Sequence, residues 1–245
     1  MDRKKSNILS EHKAFLFIML LFCMVSLYGI ISFFDSTNDY IDNMYVSAVN
    51  IDSEENKDES DKLDVFAELF RDVGKDHVHS EAIAVLNAEG IIKGYDDGTF
   101  RPDDKINRAE ILPILTNALD SDFSGRVLED CFVDIQDQWF SVFVCYAKEQ
   151  GWISGFADGS YRPERAISKA EALKIVFTAF DYEACDSVNL KPYEDVPIDS
   201  WFAPYACAAK KDKIISTNYF YADHKITRAE FIQIVYNVMV KKSLL

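Results

Sequence analysis

The sequence predicts a mainly α protein of three tandem helix–loop–helix repeats, preceded by one transmembrane helix and a flexible acidic linker. Three observations carry this expectation. A block recurs with a period of about sixty residues: 90–110 and 151–171 are close copies, and 213–230 is a shortened third. Each copy ends on a helix-start signature, Asn107, Ser168 or Thr227 standing three residues before Glu110, Glu171 or Glu230, which is capping-box spacing. Ahead of the repeats, residues 14–34 carry no charge and at 1.5 Å per residue reach about 31 Å, the depth of a bilayer core.

Residues 1–13 hold Arg3, Lys4, Lys5 and Lys13, whereas Asp35, Asp39 and Asp42 follow the apolar run. Basic flanks stay on the cytoplasmic side, so the expected topology is a single-pass anchor with its N-terminus inside and the repeats on the extracytoplasmic face. A cleaved signal peptide is the rival, but the run is longer than an ordinary h-region and lacks a small-x-small site; Phe22 before Cys23 also argues against lipoprotein cleavage. Residues 35–63 are acidic and polar without apolar periodicity, and read as a solvated spacer. The repeats then divide the chain at 64–120, 121–181 and 182–245, separated by polar connectors at 120–130 and 181–191.

Within a repeat, Gly90 or Gly151 ends a first helix as a left-handed cap, and Lys213 replaces it in the third copy. A turn follows at Asp97-Gly98 or Asp158-Gly159, with Tyr95, Phe100, Phe156 and Tyr161 as pins of a compact loop. The third copy has Thr217-Asn218 here and loses the Asp-Gly turn. After each cap the apolar residues recur at helical spacing: Ile111, Leu112, Leu115 and Leu119; Ala172, Ile175, Val176 and Ala179; Phe231, Ile234, Val235 and Val238. Pro113 falls inside the first of these helices and predicts a kink, because it cannot donate to Ala109. Arg108, Lys169 and Arg228 sit in first turns, where a cation is mildly unfavourable. Each is either solvated or paired to a carboxylate, or else joins free backbone N–H groups as a site for an anion.

Cys145 and Cys207 occupy equivalent positions, six residues after Trp139 and Trp201, and each has an upstream partner in its own connector. Four cysteines allow three pairings; repeat equivalence favours Cys131–Cys145 and Cys185–Cys207, bridges that suit an oxidising space.

These residues resemble the S-layer homology family. The resemblance rests on Asp72, Asp134 and Asp195, on Trp139 and Trp201, on the two Gly-aromatic-x-Asp-Gly-x-aromatic-x-Pro loops, and on the caps Asn-Arg-Ala-Glu, Ser-Lys-Ala-Glu and Thr-Arg-Ala-Glu. It implies a pseudo-threefold helical trimer that binds acidic, often pyruvylated, cell-wall polysaccharide in grooves between repeats. The ligand-binding candidates it implies are Arg108, Lys169, Arg228, Trp139, Trp201, Gly94, Gly155, Arg101 and Arg162. Val78 stands where the first tryptophan is expected, so one or two grooves at most are expected to bind. The implied role is a non-enzymatic tether between membrane and wall polymer; the alternative is a docking module for another envelope protein.

Other classes fit less well. Glu110, Glu171 and Glu230 are better explained by capping than as a glycosidase pair, and the four histidines, His12, His77, His79 and His224, make no nucleophile constellation. No cofactor fingerprint is present. The Asp-Gly turns lack the alternating oxygen ligands of a calcium loop, so no metal is expected. A net charge of -15 disfavours nucleic acid.

Overall fold

Among the described residues six helices form: α1 (Ser80–Ala88), α2 (Ile111–Ala118), α3 (Ser141–Glu149), α4 (Lys169–Ala179), α5 (Ala203–Lys211) and α6 (Arg228–Lys241). The computed structural model describes residues 69–122 and 130–245. The segment 14–34 assigned to the bilayer and the spacer 35–63 lie outside the described residues. Among the described residues no helix is long and apolar enough to cross a membrane, and none forms a β-strand beyond isolated bridges.

The boxes close as the spacing requires. Ser168 accepts from the Glu171 amide while the Glu171 carboxylate accepts from the Ser168 amide, and Thr227 with Glu230 does the same. Asn107 Oδ1 accepts from the amides of Ala109 and Glu110, and Glu110 accepts from Asn107. The expected kink at Pro113 does not form. Instead α2 begins at Ile111 rather than at Arg108: Leu112 N–H takes the Ala109 carbonyl in a tighter turn, and the proline falls in the first helical turn, where its missing N–H costs nothing.

Helix ends and loops turn through left-handed residues. Gly90 and Gly151 have φ of 73° and 74°, and Lys213 adopts the same conformation at φ 60° despite its Cβ. Further on, Arg101, Arg162 and Tyr221 have φ of 61°, 57° and 55°. An aspartate holds each of these in place. Asp72 accepts from the amides of Phe100 and Arg101 at 2.8 and 2.7 Å, Asp134 from Tyr161 and Arg162 at 2.8 and 2.7 Å, and Asp195 from Phe220 and Tyr221 at 2.7 Å each. The third loop therefore keeps its shape without an Asp-Gly turn.

The repeats interlock in a ring. Ile106 donates to Ile226, Ile226 to Ile167 and Ile167 to Ile106, three backbone hydrogen bonds of 3.1–3.2 Å that close on themselves among fully buried isoleucines. Each capped helix packs on the first helix of the next repeat: α2 on α3, α4 on α5, and α6 back on α1. The residues expected on the apolar faces line the shared core, with Leu119 and Ala179 partly buried at its edge. Disulfides Cys131–Cys145 and Cys185–Cys207 tie the segments leading into repeats two and three to α3 and α5.

Candidate ligand-binding site

A groove lies where the capped helix of repeat two faces the entry of repeat three. Between repeats two and three, α4 contributes Glu171, Lys174, Ile175 and Thr178, the turn after α3 contributes Gly151 through Phe156, and Trp201 closes the far wall. Arg108 reaches in from repeat one, and the cavity measures about 410 Å³. Trp201 is 56% exposed although it starts a helix; Trp139, its counterpart one repeat earlier, is 64% exposed. Neither ring belongs to the core. Trp139 borders a second cavity of about 680 Å³, lined within repeat two by Gln138, Arg162, Glu164 and Arg165.

The three cap cations are neither solvated nor set among free amides. Arg108 is 5% exposed; its Nε donates to the Tyr161 carbonyl at 2.9 Å and its Nη2 to the Ser154 carbonyl at 3.3 Å. Tyr161 OH returns a bond to the Arg108 carbonyl at 2.8 Å, and its ring lies 4.4 Å beneath the guanidinium. Burial draws the Arg108 pKa below its ordinary value, and it pushes the Tyr161 phenol up. Arg228 likewise donates to the Lys93 carbonyl at 2.8 Å and covers the Phe100 ring at 4.6 Å. Lys169, mostly buried and also lowered by desolvation, faces Glu230 at 3.9 Å. Each cation thus reaches into the following repeat: one to two, two to three, three to one.

The amides beside them are taken as well. Arg108 and Ala109 donate to Arg165 and Pro163, Lys169 and Ala170 to His224 and Ala222, and Arg228 and Ala229 to Asp104 and Pro102. Neighbouring repeats supply the carbonyls that an unpaired helix N-terminus lacks. No cap therefore offers a free anion nest.

Gly94 and Gly155 are close-approach positions. A Cβ on Gly155 would meet the Phe132 ring at 2.5 Å and the Ser160 carbonyl at 2.7 Å, and one on Gly94 would meet Phe70 at 2.2 Å and the Thr99 carbonyl at 2.7 Å. Arg101 and Arg162 stay on their own loops, pairing with Asp97 at 3.1 Å and Asp158 at 2.9 Å. They cover the faces of Tyr95 and Phe156 at 3.8 and 4.0 Å. Of the four expected pins, Phe100 and Tyr161 are fully buried; Tyr95 and Phe156 lie nearer the surface under arginine. Thr99, through its hydroxyl and amide, and then Arg101 hold the Asp97 carboxyl down at about 2.

Arg108, Gly155 and Trp201 therefore share one groove, and Trp139 shares a cavity with Arg162; Lys169, although it also joins repeats two and three, and Arg228, which joins three to one, do not line that groove. Sequence reasoning missed Lys174 and Trp152 in the groove. The signal for Lys174 was its place one turn beyond Glu171, three residues on along the same helix face. It also missed how the third junction is filled. There Val78 is 82% exposed, His79 Nδ1 bonds Gln233 Oε1 at 3.0 Å, and Tyr236 OH donates to Glu81 at 3.0 Å, so α1 and α6 are pinned together where the junction between repeats two and three opens.

The ring of helix–loop–helix units, with an exposed tryptophan beside each of two cavities, defines a helical repeat module with an open groove between repeats two and three. The S-layer homology domain matches residues 69–112, 132–173 and 192–232, just over half of the chain. The protein belongs to that family. It is similar to a cellulosome-anchoring protein of Acetivibrio thermocellus, 27% identical over 137 residues, covering 54% of this chain and 30% of that protein. It is similar also to the surface-layer 125 kDa protein of Lysinibacillus sphaericus, 31% identical over 121 residues, covering 46% and 10%. A third relative is the S-layer protein sap of Bacillus anthracis, 27% identical over 135 residues, covering 54% and 16%. The chain spans less than a third of the length of these relatives.

Proposed function

We propose that this protein is a non-catalytic anchor of the cell envelope, binding an anionic wall polysaccharide at the Trp201 groove and the Trp139 cavity while residues 14–34 hold it in the membrane. One observation carries the reading: two tryptophans at equivalent positions stand exposed beside cavities instead of entering the core that buries Phe100, Tyr161 and Phe220. Exposed flat faces beside cations suit sugar rings bearing acid groups. The surface-layer and cellulosome-anchoring names of its relatives support the same role. The basic flank of residues 1–13 and the two disulfides support an extracytoplasmic location for the repeats.

The net charge of -15 opposes an anionic polymer at long range, but screening over about 8 Å leaves the outcome to local groups. In the groove between repeats two and three those groups are Arg108, Glu171 and Lys174, and Glu171 is neutralised by its ion pair with Arg165.

The test is co-sedimentation of the full-length chain, kept in nonionic detergent, with isolated wall sacculi. The Trp139→Ala and Trp201→Ala variants are the appropriate probes, since Arg108 and Lys169 hold repeats together and their removal would confuse folding with binding. Each is expected to weaken binding about tenfold, the effect of losing about 1.4 kcal/mol of stacking, with an unchanged circular dichroism spectrum. Failure of the folded wild type to sediment with any of several wall preparations would overturn the proposal.

A further inference from the structure

We infer that Lys174 is the specificity-determining residue of the groove between repeats two and three, the cation that meets the anionic substituent on a sugar ring held against Trp201. The inference rests on the wall-binding function proposed above. It begins with what the groove does not offer. Arg108 is nearly buried, and both its Nε and its Nη2 are committed to carbonyls of repeat two. Moving it outward would unmake the bonds that join repeats one and two.

Lys174 is placed differently. It projects from the solvent-facing side of α4, lines the cavity, and sets its Nζ 5.8 Å from the centroid of the Trp201 ring on the opposite wall. It makes no ion pair within 4.0 Å among the described residues, unlike Arg101, Arg162, Arg165 and Lys169. The carboxylate one turn before it, Glu171, accepts from the Ser168 amide at 3.0 Å and pairs with Arg165. A positive charge and an aromatic face therefore meet across the groove in a loose cation–π contact, which a sugar ring taking the tryptophan face displaces to leave the ammonium to the ligand's anion. A lysine is a compact point charge on a flexible stem, able to follow a substituent on a bound ring.

The equivalent positions make the contrast. Three residues after the capping glutamate, repeat one has Pro113, which cannot carry charge, and repeat three has Gln233, which is turned to His79 and Asn237 across the closed junction. At this position only repeat two holds a cation.

The experiment measures binding of the full-length chain in detergent to wall polysaccharide released from sacculi. Lys174→Gln and Lys174→Arg are compared with wild type on native polymer, on polymer whose carboxyl groups have been reduced to alcohols, and on polymer stripped of phosphate. Lys174→Gln is expected to bind native polymer about tenfold more weakly, and Lys174→Arg about as well as wild type. The gap between wild type and Lys174→Gln closes on whichever treated polymer has lost the recognised anion, which separates a carboxylate from a phosphate source. Equal binding of native polymer by wild type and Lys174→Gln overturns the inference and leaves the anchoring function standing. A gap that persists on both treated polymers also overturns it, since the lysine then acts by packing and not by charge. No binding by wild type overturns both.

Discussion

The aspartate in each repeat makes the most exposed claim about stability, because one carboxylate fixes a loop residue in left-handed backbone. In Asp134→Asn the side chain keeps its shape, but an amide can accept from only one of the two donors, Tyr161 N–H or Arg162 N–H, now 2.8 and 2.7 Å from carboxylate oxygens. The other N–H must face an NH₂ group. Hydrogen bonds to a charged acceptor contribute about 1.5–3 kcal/mol each, and partial exposure of Asp134 argues for the lower end. Losing one and weakening the other comes to about 2 kcal/mol. For a domain of this size that lowers Tm by roughly 4–8 °C.

Thermal unfolding followed by circular dichroism, with disulfides oxidised, reads this shift directly. Asp137→Asn, an exposed neighbour three residues on, serves as the control. Asp72→Asn and Asp195→Asn repeat the perturbation in the other loops, where both carboxylates are more exposed, so each is expected to cost the same or somewhat less. A Tm change for Asp134→Asn no larger than that of Asp137→Asn would refute the argument, since the paired distances would then contribute nothing that water does not replace.

Lys213→Gly should raise stability by about 0.5–1 kcal/mol, because it relieves a Cβ at φ 60°, while Gly151→Ala should lower it by a similar amount; paired urea melts check both. Reducing Cys131–Cys145, whose ends lie 14 residues apart, should cost about 3 kcal/mol, read as the Tm difference between the native protein and a Cys131→Ser, Cys145→Ser variant. Acid should destabilise the fold in a defined window. Burial alone would raise Glu171 and Glu230, but backbone amides and nearby cations outweigh it and hold both below their ordinary value, and Asp97 is held at about 2. Depressed carboxyls stabilise above their unfolded pKa and lose that contribution as pH falls through the folded one, so Tm should stay flat down to about pH 5 and decline between roughly pH 4.5 and 2. A Tm that rises on acidification would contradict the assignment.

What the sequence made legible was local. Capping boxes, left-handed glycines and apolar spacing are set by residues three or four apart, and they placed the starts of α4 and α6 as the structure has them. Repeat equivalence paired the cysteines for the same reason, since homologous positions occupy homologous space. What it hid depended on the next repeat. A cation at a helix N-terminus looks unpaired along the chain, yet Arg108 meets carbonyls 46 and 53 residues away, and the amides beside it meet Pro163 and Arg165. Lys174 was overlooked because its partner across the groove, Trp201, lies in the following repeat. Pro113 misled in a smaller way: the rule against interior proline held, and the helix answered by starting later instead of bending.

The closed third junction has a topological reason. Repeats one and two, and two and three, are joined by the chain itself; repeat three returns to repeat one with no covalent link, so that contact must close the ring by noncovalent bonds alone, the backbone pairs of Ile106, Arg228 and Ala229 and the side chains of α1 and α6. The bonds His79–Gln233 and Tyr236–Glu81 lie on that contact, at the positions where an open groove would need space. Repeat one also has Ala84 where Cys145 and Cys207 stand, so it has no disulfide of its own to hold α1 in place. His79→Ala combined with Tyr236→Phe should then cost about 1–2 kcal/mol, as two hydrogen bonds of ordinary strength would, and leave the binding stoichiometry for wall polymer unchanged. Unaltered stability, or a newly gained binding site, would show that these bonds do not close the ring.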